Sequence, residues 1–434
     1  MTERSWPFMP NRGIEITRTE GAYLYTRQGA KVLDAAGGAV VVNIGHGRKR
    51  VAEAVFEATL NTSYVVPPWL TPSRAALVES LGQWLPEEMQ RIHITSGGSE
   101  ANEAAMKIAL QYQAAVGEKD RTKILTRDIS YHGTTLATTA ASGHPNRRRG
   151  LERALQNYPV TETPYPLRCP LGPHHADAGA YYVEACRSVI EREGPETIAA
   201  FLAEPITGSS GGALVPPDDY WPGIQALCQE HGILLIMDEV MTGFGRTGKP
   251  FAFNHWGTTP DILVSGKGLA GGYAPLGGVF ATQQIGDALQ NSGFPVMFNT
   301  FGAHPGACAA GAEVLDIMME ENLVEKAAAL GSVLSQSLTD AFEDHPHVIE
   351  SRGRGLLQAI EVVRDPESLE PFPAEDQISN RIVAAALERD VFFYGGGTGA
   401  VRDIVCMGPP FIVDEAQINH MVNVLKDSVN EVVG

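Results

Sequence analysis

Cysteine is scarce in this sequence, and the cysteines present are scattered. There are five, an odd number, and no two of them form a CxxC pair. This argues against a disulfide framework and a zinc site, and it is typical of a protein of the reducing cytoplasm. No apolar run approaches the roughly 20 residues that a transmembrane helix needs. The first residues, MTERSWPFMPNRG, lack a continuous apolar core and so do not predict a signal peptide.

Positive charge is also in short supply. The 434 residues include 33 Lys and Arg against 51 Asp and Glu, a formal net charge of −18. Nucleic acid and anionic membranes repel such a chain, so neither is expected as a partner. An anionic ligand would need a local site of backbone amides and a few cations. No metal is expected, because His174 with His175, and His345 with His347, lack carboxylates or thiols at metal-ligand spacing.

The composition is that of a globular chain, with 44% apolar and 19% charged residues. From about residue 73 to 300, short apolar runs such as TIAAFLAEP, GILLIMDE and PDILVSG alternate with helical patterns. Continuous apolar strands are typical of a mostly parallel sheet covered by helices on both faces. We therefore predict an α/β fold with a large domain over 61–310. The chain ends, 1–60 and 311–434, are expected to form a smaller α+β domain together.

Three of the predicted strands end on an ionisable residue. Glu204 follows AAFLA, Asp238 follows LLIM, and Lys267 follows ILVSG. Ligands bind outside the carboxyl ends of the strands in open parallel sheets, so these side chains predict a site at one sheet edge. Any one of them alone could be a solvated loop charge. Asp238, however, directly follows an apolar run that should be buried.

Two further segments belong to the same sheet edge. TSGGSEANEA places Gly97, Gly98 and Ser99 at a helix start, where free backbone amides could bind a phosphate. SYHGTT places Tyr131 and His132 near the next strand end, where a flat ring could stack on the tyrosine; a buried aromatic fits the pattern equally well. Phosphate site, aromatic, carboxylate and lysine together match the needs of pyridoxal 5'-phosphate (PLP), which takes a Lys for its Schiff base and an acid for its ring nitrogen.

The same residues resemble those of a known family. LLIMDEVMTGFGRTGKPFAFNHWGTTPDILVSGKGLAGGYAPLGGV resembles the signature of class-III aminotransferases of fold type I, and the likeness runs from about residue 12 to the end. It implies that Lys267 binds PLP and that Asp238 contacts the ring nitrogen. It also implies that Thr300, in FNTFGAHPGACAAG, reaches the phosphate of the neighbouring subunit's cofactor, in a homodimer or tetramer with its sites at the interface. The cofactor-binding set it implies is Gly97, Gly98, Ser99, Tyr131, His132, Glu204, Asp238, Met241, Lys267 and Thr300.

Departures from the family pattern bear on the substrate. Met241 stands where ornithine- and 4-aminobutyrate-type members usually have Gln; amine:pyruvate-type (ω-) transaminases have an apolar residue there, and glutamate-semialdehyde aminomutases have Met. Val40 stands where the amine:pyruvate type usually has an aromatic, which implies a differently shaped pocket. Arg402 lies near the position of the mobile arginine with which ω-transaminases bind the keto acid, and a surface arginine is the alternative. Trp69 and Tyr64 are further candidates at the pocket mouth.

We therefore predict an aminotransferase that moves an amino group from a primary amine or ω-amino acid to a keto acid, with pyruvate as the expected acceptor. An aminomutase, decarboxylase or lyase of the same family would use the same cofactor residues and is the alternative. A non-catalytic relative would be expected to lack Lys267 or Asp238, and both are present. The segment GFGRTGK (243–249) has P-loop spacing, but Pro250 stands where a Ser or Thr should bind Mg²⁺.

Overall fold

The computed structural model describes residues 14–294, 298–399 and 401–434. The strands in these ranges are β1 Ile16–Glu20, β2 Tyr23–Thr26, β3 Lys31–Asp34, β4 Arg91–Thr95, β5 Lys123–Arg127, β6 Val160–Thr161, β7 Ile198–Ala203, β8 Leu234–Asp238, β9 Ile262–Ser265, β10 Gly277–Ala281, β11 Val348–Arg354, β12 Leu357–Val362, β13 Val391–Phe392, β14 Tyr394–Thr398 and β15 Val401–Met407. The helices are α1 Gly37–Val40, α2 Lys49–Asn61, α3 Pro72–Gly82, α4 Gly98–Ala115, α5 Leu136–Ala141, α6 Pro145–Arg148, α7 Ala178–Glu193, α8 Tyr220–His231, α9 Gln283–Ser292, α10 Pro305–Glu320, α11 Leu323–Phe342, α12 Ile378–Leu387 and α13 Glu415–Val433.

The central sheet has the strand order β4-β10-β9-β8-β7-β5-β6. Strand β10 is antiparallel to both of its neighbours, and the pairs from β9 to β6 are all parallel. Strands β7, β8 and β9 are buried along their whole length, which explains their continuous apolar sequences. The prediction of an α/β fold with a mostly parallel sheet is confirmed.

Both faces of this sheet are covered, as the alternation along β8 shows. Leu234 and Ile236 belong to the apolar cluster under α4, whereas Leu235 and Met237 belong to the larger cluster that includes α7, α8 and α10. Side chains alternate between the faces of a strand, so an unbroken apolar run contributes side chains to the apolar clusters on both faces of the sheet. The small residues on the buried side of α4, such as Ala101, let this helix lie close to the strand ends.

Two smaller sheets come from the chain ends. One has the order β1-β2-β3-β13, in which β13 from the C-terminal part pairs in parallel with β3 from the N-terminal part. The other, β11-β12-β15-β14, is entirely antiparallel. The smaller α+β part predicted from both chain ends is therefore confirmed. The boundaries at residues 60 and 310 stay predictions, since α2 and α10 run through them.

The segment 243–249 forms a buried turn that contacts both the N-terminal and the C-terminal part of the chain. Arg246 is 2% exposed, and its guanidinium donates to the backbone carbonyls of Val42, Leu356 and Pro409. Burial lowers the pKa of Arg246 to about 9. No α-helix follows Pro250 in this described region, so the local structure is not that of a P-loop. In the described part of the chain, no helix has both the length and the apolar character to cross a membrane.

Candidate active site

The three predicted strand-end residues meet at one small cavity of about 170 Å³. Glu204 follows β7, Asp238 ends β8, and Lys267 opens a short 3-10 turn after β9. These strands are neighbours in the sheet, so their carboxyl ends bring the three side chains together. The cavity is lined by Gly98, Ser99, Asn102, Tyr131, His132, Gly133, Glu204, Ile206, Ser209, Asp238, Val240, Met241 and Lys267. A larger cavity of about 400 Å³ beside β4 has no lysine or carboxylate in its lining.

Asp238 is held in place by three donors. Its Oδ2 accepts a hydrogen bond from Nδ2 of Asn102 at 2.8 Å and lies 2.8 Å from Nδ1 of His132. Its Oδ1 accepts from the backbone N–H of Val240 at 3.0 Å. The side chain is 3% exposed, and a polar group this deeply buried needs hydrogen-bond partners. The acid is therefore fixed in both position and direction.

Asn102 is a site residue that the sequence pattern did not identify. It lies in the second turn of α4, is 1% exposed, and also donates to the backbone carbonyl of His132 at 3.0 Å. One amide thus ties Asp238 to the YHG segment. Among the described residues, neither Oδ1 of Asn102 nor Nε2 of His132 has a hydrogen-bond partner, although both atoms are buried. The available signal was a polar residue among the alanines of a buried helix face.

Lys267 has an amine whose basicity is reduced. Burial lowers the pKa of Lys267 to about 8, and the carboxyl groups of Asp238 and Glu204 offset part of that shift. An ordinary lysine has a pKa of about 10.4. A far larger fraction of the Lys267 amine is therefore neutral near neutral pH. The neutral amine is the form that attacks a carbonyl or accepts a proton.

The N-terminus of α4 forms one end of the cavity. This helix has 18 residues and begins at Gly98, where an added Cβ would lie 2.9 Å from Cγ1 of Val240. The Oγ of Ser99 accepts from the backbone N–H of Thr134 at 3.2 Å. Gly133 has a φ of 138°, and a Cβ there would lie 2.6 Å from Oγ of Ser99. Only glycine leaves this space free, and the unpaired amides of the first helical turn suit a phosphate.

Glu204 is a buried link between two segments. Its Oε2 accepts from the backbone N–H of Tyr131 at 3.0 Å, and its Oε1 accepts from that of Gly208 at 2.9 Å. Burial raises the pKa of Glu204. The turn after Glu204 is held from the other side by Arg352, which donates to the carbonyls of Gly211 and Gly212, both at 2.8 Å. The C-terminal sheet therefore supports this wall of the cavity.

Some predicted residues are not in the lining of the cavity: Val40, Trp69, Gly97, Thr300 and Arg402. Gly97 is the N-cap of α4, next to the lining residue Gly98. Val40 is 1% exposed and shares an apolar cluster with Met241, which does line the cavity. The guanidinium of Arg402 donates to the carbonyl of Phe372, at 2.7 and 3.0 Å. Trp69 and Thr300 are exposed. The roles assigned to these five residues stay predictions.

Comparison with known proteins identifies the family. A family model described as aminotransferase class-III matches residues 8–429. The chain belongs to the class-III aminotransferase family. Members of this family are PLP-dependent enzymes, and this class-III aminotransferase has the strand-end site at the edge of its central sheet.

Named relatives and solved structures cover nearly the whole chain. A putrescine–pyruvate aminotransferase of Pseudomonas aeruginosa is 31% identical over 418 residues, covering 96% of this chain and 90% of its own. An omega-aminotransferase of Caulobacter vibrioides is 32% identical over 443 residues, covering 98% and 97%. An (S)-enantioselective omega-transaminase from Thermomicrobium roseum is 37% identical with a TM-score of 0.91, covering 97% and 93%. A PLP-bound amine transaminase from an uncultivated Pseudomonas species is 33% identical with a TM-score of 0.93, covering 99% of both chains.

Proposed function

We propose that this class-III aminotransferase moves an amino group from a primary amine or ω-amino acid to a keto acid, pyruvate, with PLP bound covalently to Nζ of Lys267. The observation that supports this most directly is that Lys267 and Asp238 line one small cavity whose end is the start of α4. The described residues fit PLP part by part. The cavity offers an amine for the aldehyde, a fixed acid for the ring nitrogen, and helix amides for the phosphate.

Each residue has a role that follows from its surroundings. Bound PLP supplies an electron sink for the electron pair of the substrate's C–H bond. Asp238, oriented by Asn102 and His132, would hold a proton at the ring nitrogen. Nζ of Lys267 would take a proton from the amine-bearing carbon of the substrate and return it as a general acid. Tyr131, whose backbone Glu204 holds, would contact the ring.

An aminomutase, decarboxylase or lyase would use the same set of residues. Relatives described as a putrescine–pyruvate aminotransferase and an omega-aminotransferase support transfer between two molecules. Met241 in the cavity lining argues against an ornithine- or 4-aminobutyrate-type substrate, and it fits both an amine:pyruvate-type transaminase and an aminomutase.

A panel of amine donors tests the proposal. The purified protein with PLP is given putrescine, β-alanine or 1-phenylethylamine together with pyruvate or 2-oxoglutarate, and the products are identified. We expect alanine to form from pyruvate. We also expect Lys267→Ala to lose at least about 10²–10⁴-fold in rate. Turnover retained by Lys267→Ala, or a product whose amino group has moved within one molecule, would refute the assignment.

We further propose that the protein acts as a homodimer, or as a tetramer, with its sites at the subunit interface. Several large apolar side chains lie exposed in one region. The rings of Tyr64 and Phe301 meet edge-to-face at 6.2 Å, and Trp69 and Phe298 line one groove. Monomers rarely expose apolar patches of this kind. A second copy would cover them and bring its exposed Thr300 toward the partner's site.

All five cysteines are buried free thiols, in keeping with a cytoplasmic location.

A further inference from the structure

A carboxylate that enters the cavity meets mainly carboxyl groups. Glu204 and Asp238 are both buried in the lining, and Lys267 is the cation that they face. The chain as a whole has a net charge of −18. Like charges at short range repel strongly where water is excluded. A keto acid or ω-amino acid therefore needs a further cation near the mouth of the cavity.

Most arginines near the site are already paired within the chain. Arg402 donates from Nε and Nη2 to the carbonyl of Phe372, and from Nη1 to that of Gly399 at 3.3 Å. To bind a substrate it would have to give up these bonds. The following arginines also donate to carbonyls or carboxylates of the chain: Arg127, Arg168, Arg246 and Arg352.

Arg147 is placed differently. It lies on α6, is exposed, and its guanidinium carbon is 4.7 Å from the ring centre of Tyr131, which lines the cavity. Within the described residues its guanidinium makes no hydrogen bond and no salt bridge. The segment 147–153 contains four arginines and one glutamate, a local excess of positive charge in an acidic chain.

Contacts of α6 place this arginine near the wall of the cavity. The Cβ position of Gly399, in the β14–β15 turn, would lie 3.9 Å from Cγ of Pro145. The same hairpin contacts the cavity wall, since the N–H of Gly397 donates to the carbonyl of the lining residue Ser209 at 2.7 Å. The short helix is therefore close both to Tyr131 and to the hairpin that contacts the cavity wall.

We propose that Arg147 stands at the mouth of the cavity and there binds the carboxylate of the keto acid and of the ω-amino acid, an inference that rests on the proposed function. A guanidinium binds a carboxylate through two parallel N–H···O bonds, and the aromatic face beneath it limits the directions that it can take. The guanidinium of Arg147 would not strengthen the binding of an amine or aldehyde that lacks a carboxylate. Arg147 would thus select substrates by their acid group.

The test compares acceptors of similar size with and without the acid. Steady-state kinetics are measured on PLP-loaded wild type, Arg147→Gln and Arg147→Lys, with pyruvate or propanal and one fixed amine. We expect Arg147→Gln to raise the KM for pyruvate about 10- to 100-fold, the loss of a charge-assisted pair, and to leave propanal unchanged. Arg147→Lys should recover part of the effect. Arg149→Gln removes the same charge from an exposed neighbour that does not contact Tyr131, and we expect no change.

Several results would overturn the inference. If KM rose equally for pyruvate and for propanal, Arg147 would be supporting Tyr131 and would not be binding the carboxylate. Weaker PLP binding to Arg147→Gln apoprotein, measured by fluorescence titration, would assign the guanidinium to the cofactor phosphate. A wild type that transfers no amino group would count against the proposed function instead. Calorimetry with propionate would still decide on Arg147, because weaker binding by Arg147→Gln supports the inference and equal binding overturns it.

Discussion

At the scale of single residues, the lowered pKa of Lys267 predicts how the rate of PLP incorporation depends on pH. A lysine attacks the aldehyde of PLP only in its neutral form. Burial lowers the pKa of Lys267 to about 8, so below that pH most of the amine is protonated and above it most is neutral. We expect the rate of PLP incorporation into apoprotein to rise about tenfold per pH unit below 8 and to level off above it. Stopped-flow absorbance measures this rate.

An ordinary lysine is the reference for that measurement. The reaction of PLP with a blocked lysine amide, under the same conditions, should keep rising toward a pH of about 10.4. A protein curve that parallels this reference would mean that Lys267 is no less basic than a solvated amine. The control also removes any contribution from the titration of PLP itself, which is common to both reactions.

Residue chemistry could be predicted from the sequence where it depends on local pattern. Lys267 and Asp238 stand at the ends of apolar runs, and the structure brings both to one cavity. Asn102 was missed because its importance comes from reaching Asp238, 136 positions along the chain. The pairing of Arg402 with the carbonyl of Phe372 also depends on folding, so the sequence alone does not predict it.

At the scale of elements, segments with a clear periodicity can be predicted from the sequence. The amphipathic run 323–342 forms the helix α11, Leu323–Phe342, and the alternating sequence RIHIT forms β4. The β14–β15 hairpin was not predicted, because its sequence YGGGTGAVRD has few apolar residues and it is held by pairing to β12. The two-residue strand β13 depends in the same way on its distant partner β3. Such short strands are stabilised by tertiary pairing rather than by propensity.

The start of α4 gives a prediction about cofactor affinity. In Gly133→Ala the new Cβ would lie 2.6 Å from Oγ of Ser99, so the first turn of α4 has to move. We expect the Kd for PLP to rise by at least about tenfold, equivalent to 1.4 kcal/mol, within the usual cost of local backbone strain. Fluorescence titration of the apoprotein measures it.

Gly117→Ala is the matched control for that change. Gly117 also has a positive φ, 97°, but nothing lies within 4 Å of its Cβ position. Both variants impose a disfavoured backbone conformation on alanine, so both should unfold at a somewhat lower temperature. Only Gly133→Ala should bind PLP more weakly. Equal losses of affinity would show that the space beside Ser99 is not what the cofactor site requires.

At the scale of the whole molecule, the proposed dimer would have to form against the repulsion between two negatively charged chains. Two copies with a formal charge of −18 each repel one another, so a stable dimer needs apolar area to offset the repulsion. The exposed apolar residues of the region 56–70 and of the segment 298–301 provide such a surface. Salt screens the repulsion and leaves apolar burial in place, so the dimer should become tighter as ionic strength rises.

A single substitution on this surface tests the assembly and its link to activity. Leu70 is 76% exposed in the single chain, so Leu70→Asp should cost the fold little and should place a buried charge in the proposed interface. We expect sedimentation velocity to show monomers at concentrations where the wild type is dimeric. Activity should fall as the fraction of dimer falls, because the proposed site needs Thr300 of the second copy. Leu171→Asp, at another exposed leucine (46%), should stay dimeric and active. A Leu70→Asp monomer with full activity would mean that each chain holds a complete site.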